Sequence, residues 1–378
     1  MWEPLDEIDV LLVKLGSTEG LRVADDELVG SLRRAGVQVA IAKAAHPGKI
    51  RTLMLTDLRW AYSARRAAKE VLDRLKRNPP RSVIYSTTTA ALLWPLPGAI
   101  RFDAPAAANR PGRHGLWQRP LERRRLREAP LLLPSSVGAL AEAAAAVPGC
   151  AERALVLPPP ITPPPPPEDG TPVGPVLDAQ TDGDSADRPS ERGTAAIAYT
   201  ADPPERDIAA ITYAANPYKK GFDRVLEAWR RVRRPSEQLV VVGITREGLR
   251  ENGFDVLDDD IHIAGSLSQR NYRALLRRAR VFVCAPRREE YGLAQLEALS
   301  EGCRLVTTPA LGAYVALPIA RELDSRFVSE DLGAALREAL DVPKAGYADR
   351  AAELVEPFTV ASVDRIVAEQ LLPRLLGE

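Results

Sequence analysis

Two carboxylates, Glu289 and Glu297, stand with seven residues between them, around Tyr291-Gly292 in the stretch Val281 to Gly302, VFVCAPRREEYGLAQLEALSEG. The apolar run Val281 to Ala285 has the uninterrupted, β-branched character of a strand buried on both faces, and Pro286 with the charges after it ends that strand. From about Tyr291 the spacing becomes helical. Leu293, Leu296 and Leu299 fall on one face, and Gly302 stands where a helix C-terminus favours glycine. In a parallel sheet, the loop of such a strand-loop-helix unit lies at the carboxyl end of the strands. The free amides near Gly292, Leu293 and Ala294 then point at whatever binds there, and they favour an anion. Glu289 precedes that positive helix end, and Glu297 lies one turn inside, on the face shared by Leu293 and Ala294. Carboxylates accept hydrogen bonds from hydroxyls. A phosphate held by amides, with acidic groups gripping hydroxyls on either side, describes a sugar nucleotide better than a nucleotide alone. The alternative is an ordinary amphipathic helix carrying two solvated glutamates.

The pattern Glu289-x7-Glu297, with Tyr291-Gly292 inside it and Glu297-Ala298 followed by Gly302, resembles the signature of the retaining glycosyltransferases of family 4. That resemblance implies the GT-B fold, an α/β architecture of two Rossmann-like doubly wound domains facing a cleft. It also implies that Glu289 contacts the donor sugar, that Tyr291, Gly292, Leu293 and Ala294 hold the diphosphate, and that Glu297 binds the ribose hydroxyls. Lys220-Gly221 is similar to the family's Lys-Gly, whose lysine neutralises the diphosphate. The Gly-Arg that usually precedes it is replaced by Ala214-Ala215-Asn216, so Lys219 and Asn216 are the candidates to assist. Near Phe102-Asp103 many family members carry a histidine instead. Asp103, an acidic residue ending an expected strand at the cleft edge, is a third candidate beside Glu289 and Lys220 for a catalytic or acceptor-binding role, or else a carboxylate that caps a loop.

The elements that must position these groups follow from the hydrophobic pattern. Strands are expected at Val10 to Val13, Val37 to Ile41, Leu53 to Leu55, Ser82 to Tyr85, Ala99 to Asp103, Leu131 to Pro134 and Ala154 to Leu157, with helices at Ala24 to Ala35 and Trp60 to Leu75. The first loop carries Gly16 and Gly20, which the resemblance places opposite the donor phosphates and which could equally be a plain turn. The basic segment from Asn109 to Arg127 suits an acceptor loop, with Arg113, His114 and an exposed Trp117 as acceptor-side candidates. Segment 110–127 is also the candidate for peripheral membrane contact; a solvated arginine-rich face is the alternative. In the second half, strands are expected at Ile208 to Ala214, Leu239 to Val242, Ile261 to Gly265 and Leu305 to Thr308. Helices are expected at Phe222 to Val232 and Phe358 to Leu376.

These elements divide the chain into a first domain at 1–157, a Pro-rich acidic linker at 158–205, a second domain at 206–357 and a closing helix at 358–378; the resemblance implies that the second domain binds the donor and that the helix crosses back to the first. Asp182-Gly183-Asp184 imitates a metal-binding Asp-x-Asp, but its low-complexity setting argues against that role. Lys plus Arg and Asp plus Glu are both 51 in 378 residues, so no overall field draws the chain to nucleic acid or to a membrane. Cys150, Cys284 and Cys303 have no metal-ligand spacing and fit a reducing cytoplasm. The acidic start, followed by a short apolar run, is unlike a signal peptide. The expectation is a cytoplasmic, metal-independent transferase with no cofactor beyond a nucleoside diphosphate sugar as co-substrate, and a sugar, lipid or small-molecule acceptor. Two alternatives stay open: a non-catalytic sugar-nucleotide binding protein, motivated by the missing arginine and histidine, and a sugar-nucleotide epimerase on the same fold.

Overall fold

The computed structural model describes residues 7–46, 52–110, 112–161, 206–342 and 344–377. Most of the 158–205 linker, including Asp182-Gly183-Asp184, lies outside the described residues.

The first domain holds β1 (Val10–Lys14), β2 (Val39–Lys43), β3 (Ser82–Tyr85), β4 (Ala99–Phe102) and β5 (Leu132–Pro134). All pair in parallel, in the order β2-β1-β3-β4-β5. The second holds β6 (Ile208–Tyr213), β7 (Leu239–Val242), β8 (Ile261–Gly265), β9 (Ala279–Cys284) and β10 (Arg304–Thr307), also parallel, in the order β10-β9-β6-β7-β8. Strand order reverses at β1/β3 in one sheet and at β6/β9 in the other. Those two points open crevices at the carboxyl ends of the strands, the places where α/β sheets bind ligands.

The strands are near-continuous apolar runs because helices cover both faces, which is why β1 and β9 contain so little polar alternation. Short side chains start several of those helices. Thr18 accepts from the Leu21 amide, Thr87 from Ala90, Ser136 from Ala139 and Ser268 from Asn271.

Three expectations change. Leu53 to Leu55 is not a strand but the first turn of a helix spanning Leu53–Arg74. Met54 and Leu55 are exposed, and their spacing to Leu58 continues a helical face, which three apolar residues alone could not reveal. Ala154 to Leu157 forms only an isolated parallel bridge, Leu132 to Ala154, with the Leu155 and Leu157 amides donating to the Leu132 and Pro134 carbonyls at 2.8 and 2.9 Å. The first helix begins at Glu19, so Gly20 belongs to its opening turn and not to a loop.

The last helical stretch, Val360–Ile366 continuing through a π segment Val367–Leu371 to Leu376, lies on the first domain. Val363, Val367 and Leu371 are buried with Val10, Leu12, Leu28, Leu32 and Ile84, and Arg34 donates to both Asp364 oxygens at 2.6 and 2.8 Å. No helix among the described residues is long and apolar enough to cross a membrane.

Candidate active site

The loop after β9 is fixed from both sides. The Arg287 amide donates to the Lys219 carbonyl (3.1 Å) and the Glu289 amide to the Leu311 carbonyl (2.9 Å). Arg287 also forms an ion pair with Asp223 at 2.6 Å and lies over the Tyr218 ring at 4.2 Å. Two glycines permit this packing. At Gly221 (φ +66°) a Cβ would come within 1.7 Å of the Ala285 carbonyl oxygen, and at Gly312 (φ +101°) within 2.3 Å of that of Glu289.

Within this frame, two successive lysines meet two successive glutamates. Lys220 Nζ donates to Glu289 Oε2 at 2.6 Å, and Lys219 Nζ to Glu290 Oε2 at 2.6 Å. Both glutamates are buried. Desolvation alone would lower the Lys220 ammonium, but the charge and hydrogen bond of Glu289 outweigh it and hold it above the ordinary lysine value. Gln295 donates a second hydrogen bond to Glu289 Oε2 at 3.3 Å. Asn216 accepts from the Lys219 amide at 3.0 Å, so its side chain shapes the lysine loop.

The helix Leu293–Ser300 starts at Gly292, which has φ +95° and offers no side-chain cap, so its first amides are not occupied by a capping group. Tyr291, just before it, is buried and donates its hydroxyl to the Pro159 carbonyl at 3.0 Å, joining the helix start to the chain leaving the first domain. Glu297 is buried, and its Oε1 accepts from Gln269 Nε2 at 2.6 Å. Burial pushes the Glu297 carboxyl up; the Gln269 hydrogen bond and the Arg273 charge oppose that shift, and the Glu301 charge adds to it.

From the first domain, Asp103 follows β4 and is accessible in the cleft. Desolvation and the charge of Glu290 raise its carboxyl, and the Lys219 charge opposes that shift. Arg288 bridges the domains, contacting Glu142 at 2.7 Å and Glu290 at 3.5 Å. Gly16, at the end of β1, has φ +63° and accepts from Arg22 at 3.3 Å.

The acceptor-side candidates are more dispersed. Arg113 is exposed in the 3-10 turn Gly112–Gly115, which also contains His114. Trp117 is not exposed as expected. It is partly buried ahead of the helix Gln118–Glu128, and the exposed neighbour is Leu116. Much of the segment's positive charge is spent internally: Arg110 pairs with Asp57 at 2.6 Å, Arg124 and Arg125 each with Glu128 at 2.7 Å.

Sequence reasoning missed two arrangements. On the helix Gln269–Arg278, residues 269, 273 and 277 share a face turned to the helix Leu293–Ser300 and the residue after it. Arg273 forms an ion pair with Glu301 at 2.6 Å and donates to Ser300 at 2.9 Å, and Arg277 reaches Glu301 at 2.9 Å. The four-residue spacing was the available signal. In the first domain, buried Arg101 on β4 donates to the Ala24 carbonyl (3.0 Å) and Asp25 Oδ1 (3.2 Å). Burial raises the Asp25 carboxyl to about 6 even against the charges of Arg101 and Lys14 and the Ser86 hydrogen bond. Among the described residues no group of three or more His, Cys, Asp or Glu is placed to hold a metal ion.

Residues 206–340 match the family model described as glycosyl transferases group 1. No curated protein matches the chain by sequence. Among solved structures, the chain is similar to WaaG, a glycosyltransferase involved in lipopolysaccharide biosynthesis, with TM-score 0.64 and 15% identity over 98% of this chain and 100% of that one. It is also similar to Anabaena Alr3699/HepE, solved in complex with UDP and glucose, with TM-score 0.58 and 13% identity over 96% of this chain and 99% of that one. A UDP-N-acetylglucosamine 2-epimerase gives TM-score 0.52 and 13% identity over 97% of this chain and 96% of that one. With its two parallel five-stranded sheets and flanking helices, the chain has the GT-B fold.

Proposed function

We propose that the protein is a retaining glycosyltransferase that moves a sugar from a nucleoside diphosphate sugar to an acceptor held by the first domain, without a tightly bound metal. The observation that carries this reading is the convergence at the β6/β9 crevice of the Gly292 helix start, which no side chain caps, with Glu289, Lys220 and Glu297. In this reading the amides of Leu293 and Ala294 and the Lys220 ammonium hold the diphosphate, where negative charge grows as the bond to the sugar breaks. Glu289 accepts from sugar hydroxyls, and Glu297 from those of the ribose. The acceptor attacks on the face from which the phosphate departs, so no protein nucleophile is needed. Asp103, at the end of β4, orients the acceptor hydroxyl, with Gly16 on the phosphate side and Arg113, His114 and Trp117 at the outer acceptor wall. A cytoplasmic setting belongs to the same proposal.

The test is incubation with uridine, guanosine and adenosine diphosphate sugars and mixed acceptors, following diphosphate release and the anomeric configuration of the product. Transfer with retention is expected, and inversion would overturn the stereochemical part. One second reading is an epimerase, which would use acidic groups such as Asp103 and the buried Glu290 and would convert the donor with no acceptor present. Binding without turnover on every acceptor class would instead favour a non-catalytic binding protein.

A further inference from the structure

We propose that Gln269 is a positioning residue that orients the Glu297 carboxylate for the ribose hydroxyls of the donor. The inference rests on the donor reading above and deepens it. Glu297 is only 6% exposed, so a carboxylate there has lost most of its water and needs a protein donor in its place. Gln269 Nε2 supplies it at 2.6 Å, at the first position of the helix Gln269–Arg278. The rest of that helix face is committed to its partner. Arg273 and Arg277 hold Glu301, the residue that caps the C-terminus of the helix Leu293–Ser300, and Arg273 also donates to the Glu297 carbonyl at 3.4 Å.

The choice of residue matters. An arginine at 269 would form a two-pronged ion pair and occupy both carboxylate oxygens, in competition with a hydroxyl ligand. A glutamine amide engages Oε1 without neutralising the group. The charged and titratable neighbours of Glu297 are Arg273 and Tyr272 on the helix opposite and Glu301 at the C-cap of its own helix. Of these, Arg273 is already paired with Glu301, which leaves the Gln269 amide as the direct hydrogen-bond partner of the carboxylate among the described residues.

The test uses the full chain and calorimetric titration with uridine and guanosine diphosphates and their 2′,3′-dideoxy forms, between about pH 5 and pH 8.5. Gln269→Leu removes the donor. It is expected to weaken binding of the ribose forms about tenfold, more at the acid end, while the dideoxy forms change little. Gln269→Glu keeps the size of the side chain and suits a helix N-terminus. It should show the opposite trend, binding worst at alkaline pH where two carboxylates face each other and recovering when the shared proton restores a donor. Ribose and dideoxy forms weakened equally in both variants would overturn the inference and leave Gln269 a merely structural residue. Wild-type levels and pH profile in both variants would overturn it as well. If the wild-type protein binds neither diphosphate, the donor reading itself fails, and this inference with it.

Discussion

Lys220 Nζ and Glu289 Oε2 lie 2.6 Å apart, on loops that follow adjacent strands of the second sheet. A diphosphate that recruits Lys220 must therefore replace a carboxylate as its partner, and Glu289 is then released toward the sugar. The two residues should differ on mutation. Lys220→Ala should lower turnover more than it weakens donor binding, because its interaction strengthens as the leaving group gains charge. Glu289→Gln should spare free nucleoside diphosphate binding and impair use of the complete donor. Calorimetry with the nucleotide and transfer assays at saturating donor check both. Loss of free nucleotide binding in Glu289→Gln as large as in Glu297→Ala would show that the two glutamates do not serve different halves of the donor.

Glu297→Ala should weaken nucleoside diphosphate binding by about 1.5–3 kcal/mol, the usual worth of hydrogen bonds to a charged group. Titration of the variant with the nucleotide measures this directly. Unchanged affinity would reject the ribose role.

Gly221→Ala should destabilise the second domain. The residue has φ +66°, and its new methyl group would collide with the Ala285 carbonyl oxygen. The left-handed backbone alone costs about 1–2 kcal/mol, and displacement of the Lys219-Lys220 loop adds to it. Urea unfolding gives the stability loss, and donor turnover should fall further than stability does because Lys220 moves with the loop.

Asp25→Asn should flatten the dependence of stability on pH in the acid range. The folded state holds the Asp25 proton up to about pH 6, against an ordinary value of 3.8, so between those values the native state binds more protons than the unfolded chain. This group's contribution to stability therefore falls as pH rises from about 4 to 6, by on the order of 3 kcal/mol, and is level above that. Unfolding midpoints measured across that range for wild type and variant should converge at the acid end. A wild-type slope that survives in the variant would assign it to another group.

The second sheet was largely legible in the sequence because its strands are uninterrupted apolar runs closed by glycine or charge, as at Leu239–Val242 and Ile261–Gly265. The strand-loop-helix unit that carries Glu289 and Glu297 was legible through its apolar run and the helical spacing after it. What escaped depended on partners distant in sequence. The Gln269 amide has meaning only against Glu297, and Arg101 only against Asp25. Leu53 to Leu55 was misread because so short an apolar run satisfies both periods, and Trp117 because a charged neighbourhood does not reveal which ring turns inward. The lysine loop was read as a cationic site, but no pattern foretold that each lysine would already hold a glutamate.

The seating of Val363, Val367 and Leu371 on Leu12, Leu28 and Leu32 has a consequence for biosynthesis. The ribosome makes the first sheet early, yet the side chains that cover this face are translated only after the entire second sheet. Until then the nascent first domain carries an open apolar face, which a helper protein must shield or which invites association with neighbouring chains. Closure of that face joins contacts more than three hundred residues apart, such as Arg34 to Asp364, and so makes the earliest-translated half of the chain the later one to mature.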